Sequence, residues 1–264
     1  MSSAAPSVGL DRPSPHVGLI TLNHPPANTL GRAMRARLVE LLTELDRDPE
    51  IRCLVLTGTG TTFTAGADLR ENRALHSPAD ADGERVEAFL GDFDRVLCAV
   101  EDFRTPVIAA VNGAAVGGGL ELAMACDIRL AASDAVFVAA GVNVGLIANF
   151  WRLTRIVGLG PAKEILLTGE RYGAEEALRW GLVTGVHAPA DLLPAALAKA
   201  ERVASRPPLS AEATKACANL AHGLTREQAT ALQARYFQTM VRTADHREAL
   251  DAFFARRPGH YQRH

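Results

Sequence analysis

The stretch VNGAAVGGGLELAMACD, Val111 to Asp127, constrains this chain more than any other. An apolar run gives way to three consecutive glycines, Gly117 to Gly119, and then to a strongly helical run. The pattern predicts a strand that passes through a glycine turn directly into a helix. Glycine lets a backbone approach a ligand closely. The first amides of a helix lack intrahelical partners and carry the positive end of the dipole, so they suit a developing oxyanion. Glu121 lies three residues after Gly118, which puts its side chain on the same helix face as that amide. A carboxylate there can move a proton at the carbon α to a carbonyl while amides hold the enolate oxygen, and apolar surroundings raise its pKa. The pattern alone also fits an exposed glutamate favoured by the helix dipole.

A second glycine-rich loop, GTGTTFTAGADL from Gly58 to Leu69, leaves another predicted strand. It fails the specific phosphate-binding tests. The dinucleotide fingerprint needs a glycine where Phe63 stands, and the Gly-Lys-Ser/Thr ending of a P-loop is absent. A plain strand-to-helix turn is the alternative. No GxSxG surrounds any serine, there is no HExxH, and the eight histidines are dispersed, so neither a serine hydrolase nor a metal centre is expected.

The flanking sequence supplies the frame. VGLITLN (Val17 to Asn23), IRCLVLTG and PVIAAV read as strands, and Met34, Leu38, Leu41, Leu42 and Leu45 fall at helical spacing. Asp80 to Asp102 is amphipathic, with Val86, Phe89, Leu90, Phe93, Val96, Leu97 and Val100 on one face. From Leu159 onward the chain reads as nearly all helix, interrupted by a short strand near Val183 to Val186. The expected organisation is a disordered tail over 1–16, an α/β core over 17–200, and a helical region over 201–264. The apolar stripes of that last region (Leu224, Leu232, Tyr236, Phe237, Met240; Leu250, Phe253, Phe254) exceed what a thin helical layer can bury and predict subunit packing.

A net charge of -2 over 264 residues argues against nucleic acid and favours a small-molecule substrate. The scattered cysteines Cys53, Cys98, Cys126 and Cys217 read as buried thiols in a reducing compartment. The N-terminus has neither the basic nor the apolar region of a signal peptide, and no apolar run approaches the roughly 18 residues of a membrane span. A cytoplasmic protein is expected.

At the two glycine loops the chain resembles the crotonase (enoyl-CoA hydratase/isomerase) superfamily, in which a FxAGADL loop and a VNGxAxGGGxELAxxCD loop-helix occur in this order. The likeness runs from Val17 to His187, continues through AKEILLTGERYGAEEALRWGLVTGV, and weakens in the C-terminal helices. It implies an α/β crotonase (ClpP/crotonase-like) fold, a spiral of ββα units with a helical C-terminal trimerisation region, assembled as a homotrimer or dimer of trimers. By the same resemblance the backbone amides of Ala67 and Gly118 form an oxyanion hole and Glu121 is the first catalytic glutamate. Coenzyme A, as part of the substrate, is expected to meet Pro26, Ala27, Ala65 and Asp68. Arg70 falls at a basic phosphate contact, and Phe253 and Arg256 match a pair that reaches CoA from a neighbouring subunit. No separate cofactor and no metal are implied.

The chain departs from the family pattern beyond Glu121. Hydratases carry a second glutamate twenty residues later, where this chain has Gly141 in FVAAGVNVGL. VNVGLIANF also resembles dienoyl-CoA isomerases, but their carboxylate is Asn149 here, and Asn143 and Asn149 cannot transfer protons near neutral pH. A histidine common in decarboxylating members is replaced by Ala67, and Phe150 and Trp151 either narrow the acyl pocket or simply pack. The expected activity is hydration or dehydration of a 2-enoyl-CoA, with single-base double-bond isomerisation second. A catalytically weak acyl-CoA-binding protein and an RNA-binding member are the readings from other classes.

Overall fold

Alternation of the chain between two sheets sets the architecture. The computed structural model describes residues 7–75 and 83–264. It begins with β1 (Ser7–Ser14), β2 (Val17–Asn23) and α1 (Arg32–Asp46), followed by β3 (Cys53–Gly58), β4 (Thr62–Thr64), α2 (Leu69–Ala74) and α3 (Glu84–Glu101). The next turn of the chain is β5 (Val107–Val111), β6 (Ala114–Val116) and α4 (Gly118–Ala125), and the third is β7 (Ile128–Ala132), β8 (Val136–Val138) and α5 (Phe150–Val157). Then come α6 (Leu159–Thr168), β9 (Tyr172–Gly173), α7 (Ala174–Arg179), β10 (Gly185–His187) and α8 (Pro189–Ala204). Three helices close the chain: α9 (Pro208–Leu220), α10 (Arg226–Met240) and α11 (Ala244–Ala255).

One sheet has the order β1-β2-β3-β5-β7-β10 and the other β4-β6-β8-β9. Each of the pairs β3/β4, β5/β6 and β7/β8 thus gives one strand to each sheet before a helix follows, which is a spiral of ββα units. Pairing is parallel except for β1 with β2 and β8 with β9. Parallel strands covered on both faces read as continuous apolar runs. All of β3 (CLVLTG) and β5 (VIAAV) is accordingly buried. Each large aliphatic side chain buried there contributes about 1.5–3 kcal/mol.

Helix α1 buries the predicted Met34, Leu38, Leu41, Leu42 and Leu45. Along α3 only Phe93, Val96, Leu97 and Val100 are buried, whereas Val86 and Leu90 face solvent, so the apolar stripe meets the core over its C-terminal half. The predicted start of that helix at Asp80 lies outside the described residues.

Three sequence expectations need correction. Ser7–Ser14, expected within a disordered tail, pairs antiparallel with β2 from Ser7 opposite Asn23 to Ser14 opposite Val17. An edge strand gains its order from main-chain hydrogen bonds, and its mostly exposed side chains leave no apolar alternation to read. Residues 1–6 of that tail lie outside the described residues. The division at 200/201 falls inside α8, which keeps Leu192, Ala196, Ala200 and Ala204 buried, so the core extends to the turn before Pro208. Among the thiols, Cys53 and Cys126 are buried but Cys98 and Cys217 are only half-buried, and all four are unpaired.

Candidate active site

The parallel pairing of β4 with β6 places two glycine loops side by side. The loop after β4 carries Ala65, Gly66, Ala67 and Asp68, and the loop after β6 carries Gly117 and the start of α4. Gly66 sits at φ +77, and a Cβ built on it would lie 2.5 Å from the Val116 carbonyl oxygen and 2.6 Å from the Gly118 amide nitrogen. Only glycine permits both this backbone angle and this approach.

Main-chain bonds fix where the two candidate amides point. The Gly66 carbonyl accepts from the Leu30 N–H at 2.8 Å. In a trans peptide the C=O and N–H point oppositely, so the Ala67 N–H is directed away from Leu30. The Gly117 carbonyl accepts from the Glu121 N–H at 3.1 Å as the first bond of α4. The Gly118 N–H, in the first turn, is therefore free of the helix and points out of its N-terminus.

The loop predicted to meet CoA lies against this pair. The Ala27 carbonyl accepts from the Ala65 N–H at 2.9 Å, with Pro26 exposed beside it after a cis Pro25–Pro26 bond. Asn28 secures that loop. It is fully buried at φ 48, its Nδ2 donates to the carbonyls of Thr59 (2.9 Å) and Thr62 (2.7 Å), and its Oδ1 accepts from the His24 N–H (2.9 Å). In the sequence, Asn28 stands out only as a loop residue that follows Pro25 and Pro26. Asparagine tolerates the left-handed region and can bond in both directions, and these properties are the signal that singles it out.

Glu121 lies in the first turn of α4, half-buried, and its Oε1 accepts from the backbone N–H of Asn149 at 2.8 Å. Burial pushes the Glu121 carboxyl above its ordinary value of 4.5, with the Asn149 N–H and the Arg152 guanidinium pulling it partly back. Asn149 has a second task, because its Oδ1 accepts from the Arg152 N–H at 3.1 Å and caps α5. Its role as a turn residue is thus joined to an amide that orients Glu121, which sequence reading missed because a backbone donor leaves no mark in side-chain identity.

Gly141 does more than omit a carboxylate. A Cβ built there would lie 2.7 Å from the Ala148 nitrogen and 2.8 Å from the Ile147 carbonyl carbon. The backbone over 146–148 folds over the place where a side chain would start. Asn143 is held elsewhere, its Nδ2 donating to the Gly169 carbonyl at 2.8 Å. Phe150 and Trp151 are exposed, and the Trp151 ring lies 4.2 Å from the Arg155 guanidinium carbon.

The other predicted contacts divide. Asp68 caps α2 by accepting from the Arg70 N–H at 2.9 Å, and Arg70, its guanidinium exposed, pairs with Asp68 at 3.1 Å. The Arg70 side chain and then the Arg70 N–H hold the Asp68 carboxyl below its ordinary range. Phe253 is 76% exposed on α11 and Arg256 ends that helix at φ 52. Among the described residues, no hydrogen bond or ion pair joins either side chain to the glycine loops of its own protomer. A separate cleft of about 680 Å³ lies at the C-terminal end of α4, lined by the pairs Arg152–Glu101 and Lys215–Asp127 among others, and Glu121 takes no part in it.

This arrangement agrees with the kinship of the chain. The sequence profile of the enoyl-CoA hydratase/isomerase family matches residues 13–264, and the chain belongs to that family. It is 38% identical over 249 residues to the (E)-benzylidenesuccinyl-CoA hydratase of Thauera aromatica, covering 92% of this chain and 94% of that protein. It is 35% identical over 246 residues to the short-chain-enoyl-CoA hydratase of Clostridium acetobutylicum, covering 91% and 92%. The crystal structure of an enoyl-CoA hydratase from Bacillus anthracis superposes with a TM-score of 0.91 at 33% identity, over 97% of this chain and 99% of that one, which establishes the crotonase fold. Among the described residues no helix is long and apolar enough to cross a membrane.

Proposed function

We propose that the protein is an enoyl-CoA hydratase whose Ala67 and Gly118 amides hold the thioester oxygen while Glu121 carries the proton. One observation bears most of this reading: a half-buried carboxylate, aimed by the Asn149 N–H, stands one turn from a free helix-start amide packed against the Gly66–Ala67 peptide. In hydration the water oxygen bonds to Cβ of the 2-enoyl thioester. The π pair moves onto the thioester as an enolate, whose oxygen the two amides stabilise. Glu121 accepts the proton lost by water and returns one to Cα. No separate cofactor enters this scheme, since coenzyme A belongs to the substrate. Pro26, Ala27, Ala65 and Asp68 line its expected course, and the exposed Arg70 guanidinium, paired with Asp68 at 3.1 Å, reaches a phosphate by exchanging that partner.

A second reading, isomerisation of a 3-enoyl to a 2-enoyl thioester by Glu121 alone, is favoured by the closed position at Gly141, since a single base that takes a proton from Cα and returns it to Cγ suffices. Supplying crotonyl-CoA and 3-butenoyl-CoA separately distinguishes the two. Formation of 3-hydroxybutyryl-CoA from crotonyl-CoA, lost in Glu121→Gln, supports hydration. Conversion of 3-butenoyl-CoA to crotonyl-CoA with no hydroxyacyl product supports isomerisation and overturns the hydratase assignment.

A homotrimer, or a dimer of trimers, covers the exposed Phe237, Phe253 and Phe254 of the C-terminal helices and carries Phe253 and Arg256 toward a neighbouring CoA site. Light scattering coupled to gel filtration tests this, and a monomeric mass overturns it. The four unpaired cysteines support a cytoplasmic location.

A further inference from the structure

Arg35 is 3% exposed, lies on α1, and has no place in the proton chemistry. Its Nη1 donates to the Leu30 carbonyl at 2.7 Å and to Glu71 Oε2 at 2.9 Å. Its guanidinium carbon stands 4.6 Å from the Phe93 ring centre and 5.2 Å from that of Phe89, and the two rings pack tilted at 5.2 Å. Each neighbour leads to one of the two candidate amides. Leu30 donates to the Gly66 carbonyl, the other half of the peptide that presents the Ala67 N–H. Glu71 belongs to α2, the helix that starts directly after Asp68, and its Oε1 also accepts from the Arg32 N–H at 2.7 Å to hold the start of α1. Phe93 lies against Gly118 so closely that a Cβ there would be 2.7 Å from the ring edge.

We infer that Arg35 is a positioning residue that sets the separation and direction of the Ala67 and Gly118 amides, bracing one through Leu30 and Glu71 and the other through Phe93. The inference rests on the oxyanion-hole reading above. A planar guanidinium suits the task because it bonds in its plane and stacks on its face at the same time. Lysine, a point charge on a flexible stem, can supply the bonds but not the stacked plane.

The test uses 4-(dimethylamino)cinnamoyl-CoA, a thioester chromophore whose absorbance moves to longer wavelength when its carbonyl oxygen is polarised. Wild type is expected to shift the bound chromophore. Arg35→Met, which keeps apolar bulk over the rings, is expected to bind it within about threefold, lose most of the shift, and lower kcat on crotonyl-CoA about tenfold, with KM and the pH profile unchanged. Arg35→Lys should recover part of the shift. Because removing a buried cation can unfold the chain, Glu71→Gln provides a second arm that loosens only the Ala67 side, and it should show a smaller loss of shift at unchanged chromophore affinity. Wild-type shift and kcat in folded Arg35→Met, or in Glu71→Gln where Arg35→Met does not fold, overturns the positioning role and leaves the amides in place. Absence of a shift in wild type overturns the oxyanion-hole reading itself, and the positioning role with it.

Discussion

Replacing Gly66 by alanine tests whether the two glycine loops act as one unit. The new Cβ would lie 2.6 Å from the Gly118 nitrogen, and ordinary contact begins at 3.4 Å, so the loops must part by about 0.8 Å. The obstructing atoms are backbone of Val116, Gly118 and Gly119 rather than a flexible side chain, so the movement falls on the amide itself. A displacement near 1 Å at a site of fixed dipoles costs about 100-fold in rate, or about 2.7 kcal/mol in the barrier. Alanine at φ +77 costs a further 1–2 kcal/mol or so of stability. Gly60→Ala separates these effects, because Gly60 has φ +68 and nothing within 4 Å of a built Cβ. Both variants should melt earlier than wild type, but only Gly66→Ala should lose turnover. The assay follows loss of the conjugated thioester absorbance of crotonyl-CoA, with thermal melts in parallel. A folded Gly66→Ala protein with kcat within threefold of Gly60→Ala refutes the idea that this close approach sets the amide geometry.

Glu121→Gln should lower kcat by about 10²–10⁴-fold, measured with the same assay. Because burial raises the Glu121 pKa above 4.5, kcat/KM of wild type should decline as pH falls through that raised value, at a pH higher than an ordinary glutamate would give. The sign for stability is opposite: the folded state binds this proton more tightly than the unfolded one, so ionisation destabilises the fold as pH rises. Glu121→Gln should therefore melt later than wild type at neutral pH, and the advantage should vanish below pH 4.5. Gly141→Glu should not improve hydration, since its Cβ meets the Ala148 and Ile147 backbone at 2.7–2.8 Å; a stability loss of about 1–3 kcal/mol in urea titration is expected, and a gain in kcat at undiminished stability contradicts this. Asn28→Ala should cost about 2–4 kcal/mol by the same titration, because it leaves the Thr59 and Thr62 carbonyls without their buried donor.

The glycine-turn-helix at Gly117 to Glu121 was legible because its elements are local: a strand, a turn that needs glycine, and a helix whose first amides are free by geometry. The apolar faces of α1 and the continuous runs of β3 and β5 were legible for a similar reason, since periodicity and burial are linked along one element. The edge strand Ser7–Ser14 was not, because its order comes from pairing with β2 rather than from its own pattern. Nor did the absence of a glutamate at Gly141 disclose that the 146–148 backbone closes over that position, a fact of chain packing.

The sequence by itself determined the family, the two glycine loops and Glu121 as the carboxylate on the helix that follows the second. Tertiary structure alone decided that the loops abut at Gly66 and Gly118, that the Asn149 amide aims Glu121, and that Arg35 links Leu30, Glu71 and Phe93. The physical reason is that a helix start or a glycine turn is specified by neighbours in sequence. The separation of two amides, and the burial that shifts a carboxyl, depend on residues brought together from distant parts of the chain.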